Sequence, residues 1–536
     1  MQHPVFDYVI VGAGSAGCVL ANRLTEDGAH SVLLLEAGPP DRYPWIHIPI
    51  GYAKTMFHPR YNWCFHTEPE PGMHGRRLYW PRGRVLGGSS SVNGLIYVRG
   101  QPEDYDRWAA LGNRGWSWRE VLPYFIKSEA NERGASAYHG ADGPQACSDI
   151  PGRHELMESI IRAANELEVP RNDDFNGPTQ EGVGYYQLFT RNGWRCSAAD
   201  GYLRPAGRRA NLQVRTGALA TAIVFGGVRA TGVRFEEGGV PQEARAAKAV
   251  IVSAGTVQSP QLLQLSGVGP AELLRAHGIP VVRDLPGVGA NLQDHLQVRL
   301  IYKVKKPVTT NDELRTWRGK LRIGVQWLLH RGGPLAIGIN QGGLFTRVLR
   351  ESRTPDIQFH FATLSADVAG AELHPWSGCT FSVCQLRPES RGWVRIRSRD
   401  PRDAPAMQPN YLSTEADCRC VTEAVKFARR LAGAPALREY IAEEYRPGPA
   451  AASDADLLEF AREYGQTIFH PSGTCRMGAD SMAVVDERLR VHGVPGLRVV
   501  DCSVMPTLVS GNTHAPVLMI AEKAADMIRQ DARAGA

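Results

Sequence analysis

Phe6-Asp7-Tyr8-Val9-Ile10-Val11, running into Gly12-Ala13-Gly14-Ser15-Ala16-Gly17, is the stretch that decides the fold. The apolar run reads as a buried strand. Ser15 to Leu24 follows, with Val19, Leu20 and Leu24 on one helical face. A second apolar run, Ser31 to Leu35, ends at Glu36. Strand, glycine-rich turn, helix and strand in this order make a dinucleotide-binding unit. Gly12 permits the tight turn, Gly14 lets backbone N–H groups approach a pyrophosphate, and Gly17 lets helix and strand pack closely. Glu36 stands at the end of the second strand, where a carboxylate accepts both ribose hydroxyls. These features do not distinguish NAD from FAD.

Past Gly38 the periodicity breaks into a long Pro- and aromatic-rich stretch, residues 39–71, that reads either as a lid or subunit contact or as a wrap over the sheet. Gly83-Arg84-Val85-Leu86-Gly87-Gly88-Ser89-Ser90-Ser91-Val92-Asn93-Gly94 offers small side chains and free backbone donors suited to a flat ring or a phosphate. Tyr105 to Ala130 reads as surface helices capped by Asp104 and Ser117, and a further helix is expected near Leu156 to Leu167. Leu212 to Phe235 alternates like two paired strands around Gly226-Gly227. Ala249 to Ser253 is a buried parallel strand, followed by a helix capped by Ser259 with Pro260 in its first turn. From about residue 300 to 460 the character changes. Ile357–Phe361, Thr380–Leu386 and Trp393–Arg397 look like strands of an antiparallel sheet, and Glu423–Leu431 like a helix. Leu497–Val500, ending at Asp501, and the helix Pro516–Ile528 return to the first style.

A chain of 536 residues needs more than one small core. The net charge of +6 comes from 61 basic and 55 acidic residues without a basic run, which speaks against a nucleic-acid partner. Ten cysteines without a CxxC pair or a zinc-spaced cluster read as free thiols in a reducing compartment, and no metal site is expected. The first strand begins almost at once and no apolar run has membrane-spanning length, so a cytoplasmic protein is expected, with peripheral membrane contact left open.

Four blocks in order resemble the glucose–methanol–choline (GMC) family of flavoprotein oxidoreductases: Asp7 through Gly17, Gly83 through Asp106, Gly255 through Gly269, and His470-Pro471-Ser472-Gly473-Thr474 with Gly511-Asn512-Thr513-His514-Ala515-Pro516. The subgroup resembled is that of bacterial alcohol, L-sorbose, polyethylene glycol and choline dehydrogenases. The resemblance implies an α/β FAD-binding Rossmann-like domain (1–155, 190–298 and 462–536) with an inserted α+β substrate domain, an antiparallel sheet plus helices (156–189 and 299–461). It implies FAD, held non-covalently because Val92 stands where some relatives carry a tethering histidine. Ser15, Ala16, Glu36 and Ala37 match positions that hold the ADP half of FAD, and Ala220 one whose backbone contacts adenine. Val85, Asn93 and Gly94 match positions beside the pyrophosphate and flavin ring. Asp501 and Cys502 match a late strand-end contact, His514 and Val517 the flavin edge, and His470 the catalytic histidine.

The expected reaction is oxidation of a primary alcohol, polyol or sugar-like alcohol to the aldehyde or ketone, with hydride passing to the cofactor and His470 taking the hydroxyl proton. His514, where many dehydrogenases of the subgroup carry Asn, is expected to pair with His470 on the substrate oxygen. The helix from Pro516 would point its positive end at the flavin. Electrons would go to a quinone or other carrier. An oxygen-using oxidase and a choline dehydrogenase are the alternatives, a lyase or photodecarboxylase-like flavoprotein a remote one. No carboxylate suited to a choline ammonium is identifiable, and a homo-oligomer is compatible with the sequence.

Overall fold

The computed structural model describes residues 3–368 and 370–534. Val5–Val11, Ser15–Thr25 and Val32–Glu36 form the expected strand, helix and strand. Gly12 has φ +96°, and a Cβ there would meet the Ser253 carbonyl oxygen at 2.5 Å. A Cβ on Gly17 would lie 1.9 Å from the Gly12 carbonyl oxygen, so the first helix crosses the turn at backbone contact.

These strands belong to a sheet ordered Leu212–Thr216, Val32–Glu36, Val5–Val11, Val240–Val252, Arg229–Glu237, Ala218–Gly226, with Leu497–Val499 paired to Val240–Val252. The thirteen-residue strand Val240–Val252 does two jobs. Its first half pairs antiparallel with the hairpin, while its apolar end, Ala249–Val252, is parallel to Val5–Val11 and Leu497–Val499. The chain's last strand thus completes a sheet that its first strand began.

A second sheet is antiparallel throughout, ordered Ile441–Arg446, Leu296–Val304, Gly378–Gln385, Ile357–Ala362, Asn340–Thr346, Gly182–Tyr185, with Gln466–Thr467 on the Leu296–Val304 edge. Side chains alternate across it. Phe359, Phe361 and Phe381 form a buried aromatic layer, and Phe359 packs against Phe427 of the helix Glu415–Gly433. The opposite face, with Gln297, Arg299, His360 and Ser382, lines a cavity.

Four local expectations are corrected. Asp104 is not a cap: Pro102 starts the helix earlier, Gln101 is the N-cap, and Asp104 accepts from its N–H at 2.8 Å. Ser117 does cap its helix, Trp118–Ser128. Ser259 is not a cap either, because its helix runs Gly255–Leu265 and leaves Pro260 inside. The carbonyl that Pro260 cannot serve, that of Thr256, accepts instead from the Thr474 hydroxyl at 2.6 Å. Trp393–Arg395 pairs only with Ala406–Gln408, outside the second sheet. The last helix begins earlier than read, His514–Arg533, with Pro516 in its first turn. No helix among the described residues is long and apolar enough to cross a membrane.

Candidate active site

A cavity of about 520 Å³ lies between the carboxyl ends of the first sheet's parallel strands and the polar face of the second. Gly12, Gly14, Ser15, Ala16, Glu36, Ala37, Asn93, Gly94, Ala220, His470, Asp501, Cys502, His514 and Val517 all line it. Two expected residues do not. Gly17 is spent on the helix–turn contact. Val85 is fully buried in a small apolar cluster with Ile46, Tyr61 and Val92, so its side chain serves packing. Of the 39–71 stretch, Ile50, Tyr52, Ala53, Met56 and Trp63 reach the cavity wall.

His470 follows the short strand Gln466–Thr467, and Asp294 pins it there. The carboxylate of Asp294 accepts from the His470 N–H at 2.8 Å and from the Thr467 and Tyr411 hydroxyls. The imidazole beside His470 is that of His295, not His514: their Nδ1 atoms are 3.0 Å apart. His295 Nε2 meets the Leu386 carbonyl at 2.9 Å, which only accepts, so this nitrogen carries hydrogen. Burial pushes His295 down to about 4, so the ring is neutral and its Nδ1 is bare. His470 must therefore donate from Nδ1. Burial, and then the neighbouring His295, hold His470 well below the usual histidine range, so its Nε2 is bare as well. That nitrogen accepts from Asn512 Nδ2 at 3.2 Å, and Asn512 Oδ1 accepts from Gln358 Nε2 at 3.2 Å. Gln358 is held in turn by the Tyr186 hydroxyl at 3.0 Å. The whole chain of donors fixes one tautomer and one amide orientation.

His514 sits elsewhere on the wall. Its Nδ1 is 2.9 Å from Ser15 Oγ, its ring stands edge-on to Phe189, and its buried Nε2 has no partner. Burial pushes it down to about 3. The side chain hydrogen-bonded to His470 Nε2 is thus Asn512, while His514 lines the same cavity and bonds Ser15. Asn512 was in view two positions before His514, in the same quoted block; His295 and Gln358 carried no local signal.

A GMC oxidoreductase family model matches residues 6–297 and its C-terminal counterpart matches residues 388–521. The chain is a GMC oxidoreductase. It is 46% identical over 533 residues to the mitochondrial choline dehydrogenase of Homo sapiens, covering 98% of this chain and 90% of that one. It is 46% identical over 531 residues to the oxygen-dependent choline dehydrogenase of Klebsiella pneumoniae strain 342, covering 98% and 96%. Among solved structures, pyridoxine 4-oxidase from Mesorbium loti aligns with a TM-score of 0.88 at 32% identity, over 98% of this chain and 99% of that one. An Aspergillus oryzae formate oxidase variant aligns at 0.93 and 25% identity over the full length of both.

This GMC oxidoreductase is therefore an FAD-dependent enzyme that oxidises alcohols, acting on CH–OH donors. Its cavity fits the cofactor. The first helix starts at Gly14 without a side-chain cap, so the N–H groups of its first turn are available to a diphosphate. Gly88 of the second glycine segment abuts Gly14 so closely that a Cβ on Gly88 would lie 2.7 Å from the Gly14 Cα. Glu36 accepts from the N–H groups of Ala13 at 3.0 Å and Gly38 at 2.8 Å, which fixes its carboxylate at the cavity wall with lone pairs to spare. Burial lifts Glu36 to about 7. Asp501 accepts from Gly255 N–H at 2.9 Å and Ser259 Oγ at 2.5 Å. Arg195 donates to the backbone carbonyls of Ile46, Ser90 and Asn93 and to Asn93 Oδ1 at 2.7 Å, fixing that asparagine. Arg82 donates to the Phe469 carbonyl at 2.8 Å. Neither arginine has a carboxylate partner among the described residues, so both lend the cavity a positive field. Asp41, His47 and Asp200 are close enough together to reach an ion, but Arg204 already pairs with both carboxylates.

Proposed function

We propose that His470 Nε2 is the base that takes the hydroxyl proton of the alcohol, and that Asn512 holds the same oxygen. The observation that carries this is the hydrogen-bonded chain from the Leu386 carbonyl through His295 to His470, which places the proton on His470 Nδ1 and leaves its Nε2 as an acceptor beside Asn512 at the cavity. When Nε2 gains a proton, His470 Nδ1–H still donates to His295, and the Asp294 carboxylate at its backbone offsets part of the new charge. Bound FAD supplies the hydride acceptor. The side chains around it position the carbinol and exclude water. FAD is held non-covalently, since the Val92 side chain has no nucleophile. The presence of two separate sheets supports a division of the chain into an FAD-binding part and an inserted substrate part, with Leu296–Val304 and Gln466–Thr467 of the second sheet lying at the proposed boundaries. The decisive experiment is anaerobic mixing with a panel of primary alcohols, polyols, sugars and choline. Flavin bleaching by an alcohol, with the colour released on acid precipitation, is the expected result. A flavin that no alcohol reduces overturns the reading.

The names of the relatives make choline one candidate substrate. The carboxylates lining the cavity, Glu36 and Asp501, both stand at the edge of the first sheet, which leaves none at the second sheet for a quaternary ammonium. We propose a carrier at a membrane surface as the electron acceptor. The support is the helix Trp317–His330, whose residues Trp317, Leu321, Leu328 and Leu329 are 70%, 58%, 61% and 67% exposed. They form one stripe with Val325, the helix has no acidic residue, and Arg318, Lys320 and Arg322 lie beside the stripe. An apolar face with a basic rim suits an anionic bilayer.

A further inference from the structure

Arg299 extends from the strand Leu296–Val304 toward the cavity. Strand register puts it beside Ser382 and, one strand further, His360, so the three form a cross-strand row on the cavity face. Its guanidinium makes no hydrogen bond and no ion pair with any described residue, and its Nη1 is buried without a partner. That sets it apart from Arg82 and Arg195, which donate to backbone carbonyls. Arg446 and Asp367 act on it electrostatically, but they pair with each other at 2.6 Å. The Tyr52 phenol faces the same space. Burial lowers Arg299 to about 10, so it remains cationic at neutral pH. Both ring nitrogens of His360 are likewise buried without partners.

A cation withdrawn from water and left unpaired is costly unless something else brings the opposite charge. His295, Gln297 and Arg299 alternate onto one face of this segment; Gln297 and Arg299 line the cavity, and His295 holds His470, which lines it too. Their Cα atoms span about 13 Å at the rise of an extended strand, which leaves room for a substrate between base and cation. We infer that Arg299 receives a carboxylate carried by the alcohol, so that the substrate is a hydroxy acid. The guanidinium fork matches a carboxylate in two parallel bonds, and the Ser382 hydroxyl and the neutral His360 ring add donors beside it. A cationic alcohol is disfavoured by the same charge.

This inference rests on the alcohol-oxidation reading, and the test separates the two. Hexanoate, which has the carboxylate but no hydroxyl, is titrated calorimetrically into the holoenzyme, the Arg299→Gln variant and the Arg299→Lys variant, each checked for full FAD content. Hexanoate should bind the wild type, weaken about 10- to 100-fold in Arg299→Gln, and recover in part in Arg299→Lys. The ratio of kcat/KM for 6-hydroxyhexanoate to that for 1,6-hexanediol should fall by a similar factor in Arg299→Gln. Equal hexanoate affinity in wild type and Arg299→Gln overturns the assignment, as does faster flavin reduction by choline than by the hydroxy acid. If no alcohol reduces the flavin, alcohol oxidation fails while the hexanoate titration still decides the role of Arg299.

Discussion

At the scale of single residues, reactivity is assigned by neighbours. Sixteen histidines are present, and composition ranks none of them. His470 stands out because a carbonyl two residues removed in the network, that of Leu386, dictates where its proton sits. Replacing His470 by Ala should slow single-turnover flavin reduction by roughly 10²–10⁴-fold. Asn512→Ala should be the next most damaging, since it strips the only described partner of Nε2. His514→Asn should be milder, because His514 bonds Ser15 and not His470. Stopped-flow reduction under anaerobic conditions ranks the three, and a His514→Asn more impaired than Asn512→Ala would return His514 to the substrate oxygen. The motif block offers both His470 and His514; only the structure sets Asn512 against His470 Nε2 and His514 against Ser15, because a motif gives order along the chain, not direction in space.

At the scale of elements, the glycine turn and the two strand–helix junctions behave as local chemistry dictates. Gly12 needs its left-handed φ and Gly17 its missing Cβ, and both requirements follow from the turn itself. Elements whose limits depend on distant partners were less legible. Pro260 reads as a first-turn residue until Thr474, more than two hundred positions away, is seen to satisfy the carbonyl it leaves open. The helix Trp317–His330 buries Ile323 and Trp327 on one side and leaves its other apolar side in solvent. A paired Leu321→Glu and Leu328→Glu replacement should abolish co-sedimentation with vesicles rich in anionic lipid and leave anaerobic flavin reduction intact, because the stripe faces away from the packed side of the helix. Wild-type protein that stays in the supernatant with such vesicles would remove the membrane proposal.

At the scale of the whole molecule, the two sheets enclose a polar interior that neither could shield alone. Burial there pushes His360 down to about 3 and His295 to about 4. A histidine of the unfolded chain takes its proton near pH 6.5, so between that pH and the folded value the unfolded state holds more protons. Stability from each buried neutral ring is therefore present above pH 6.5 and lost as pH falls. Glu36 and Glu70, both lifted to about 7, pull the other way. One group is isolated by comparison: relative to His360→Phe, the wild type should lose roughly 2 kcal/mol between pH 6.5 and 5. Urea unfolding of both proteins at the two pH values measures this, and a pH-independent difference would mean that His360 is protonated or solvated in the folded protein.

The sequence by itself determined the dinucleotide unit, the family and the cofactor. Each of these rests on residues close together in the chain: Gly12 to Gly17 with Glu36, the glycine–serine segment, and His470 with Pro471. Backbone conformation and short-range spacing are local properties, and they are written in local sequence. Tertiary structure alone decided what surrounds His470 and lines the cavity beside it. His295 reaches His470 across 175 positions, and Gln358 reaches Asn512 across 154. Arg299 is one charged residue in an alternating strand until the register of Leu296–Val304, Gly378–Gln385 and Ile357–Ala362 turns that face inward and leaves its charge without a partner. Pairing register and enclosure are properties of distant segments meeting, and no window of the sequence contains both sides of such a contact.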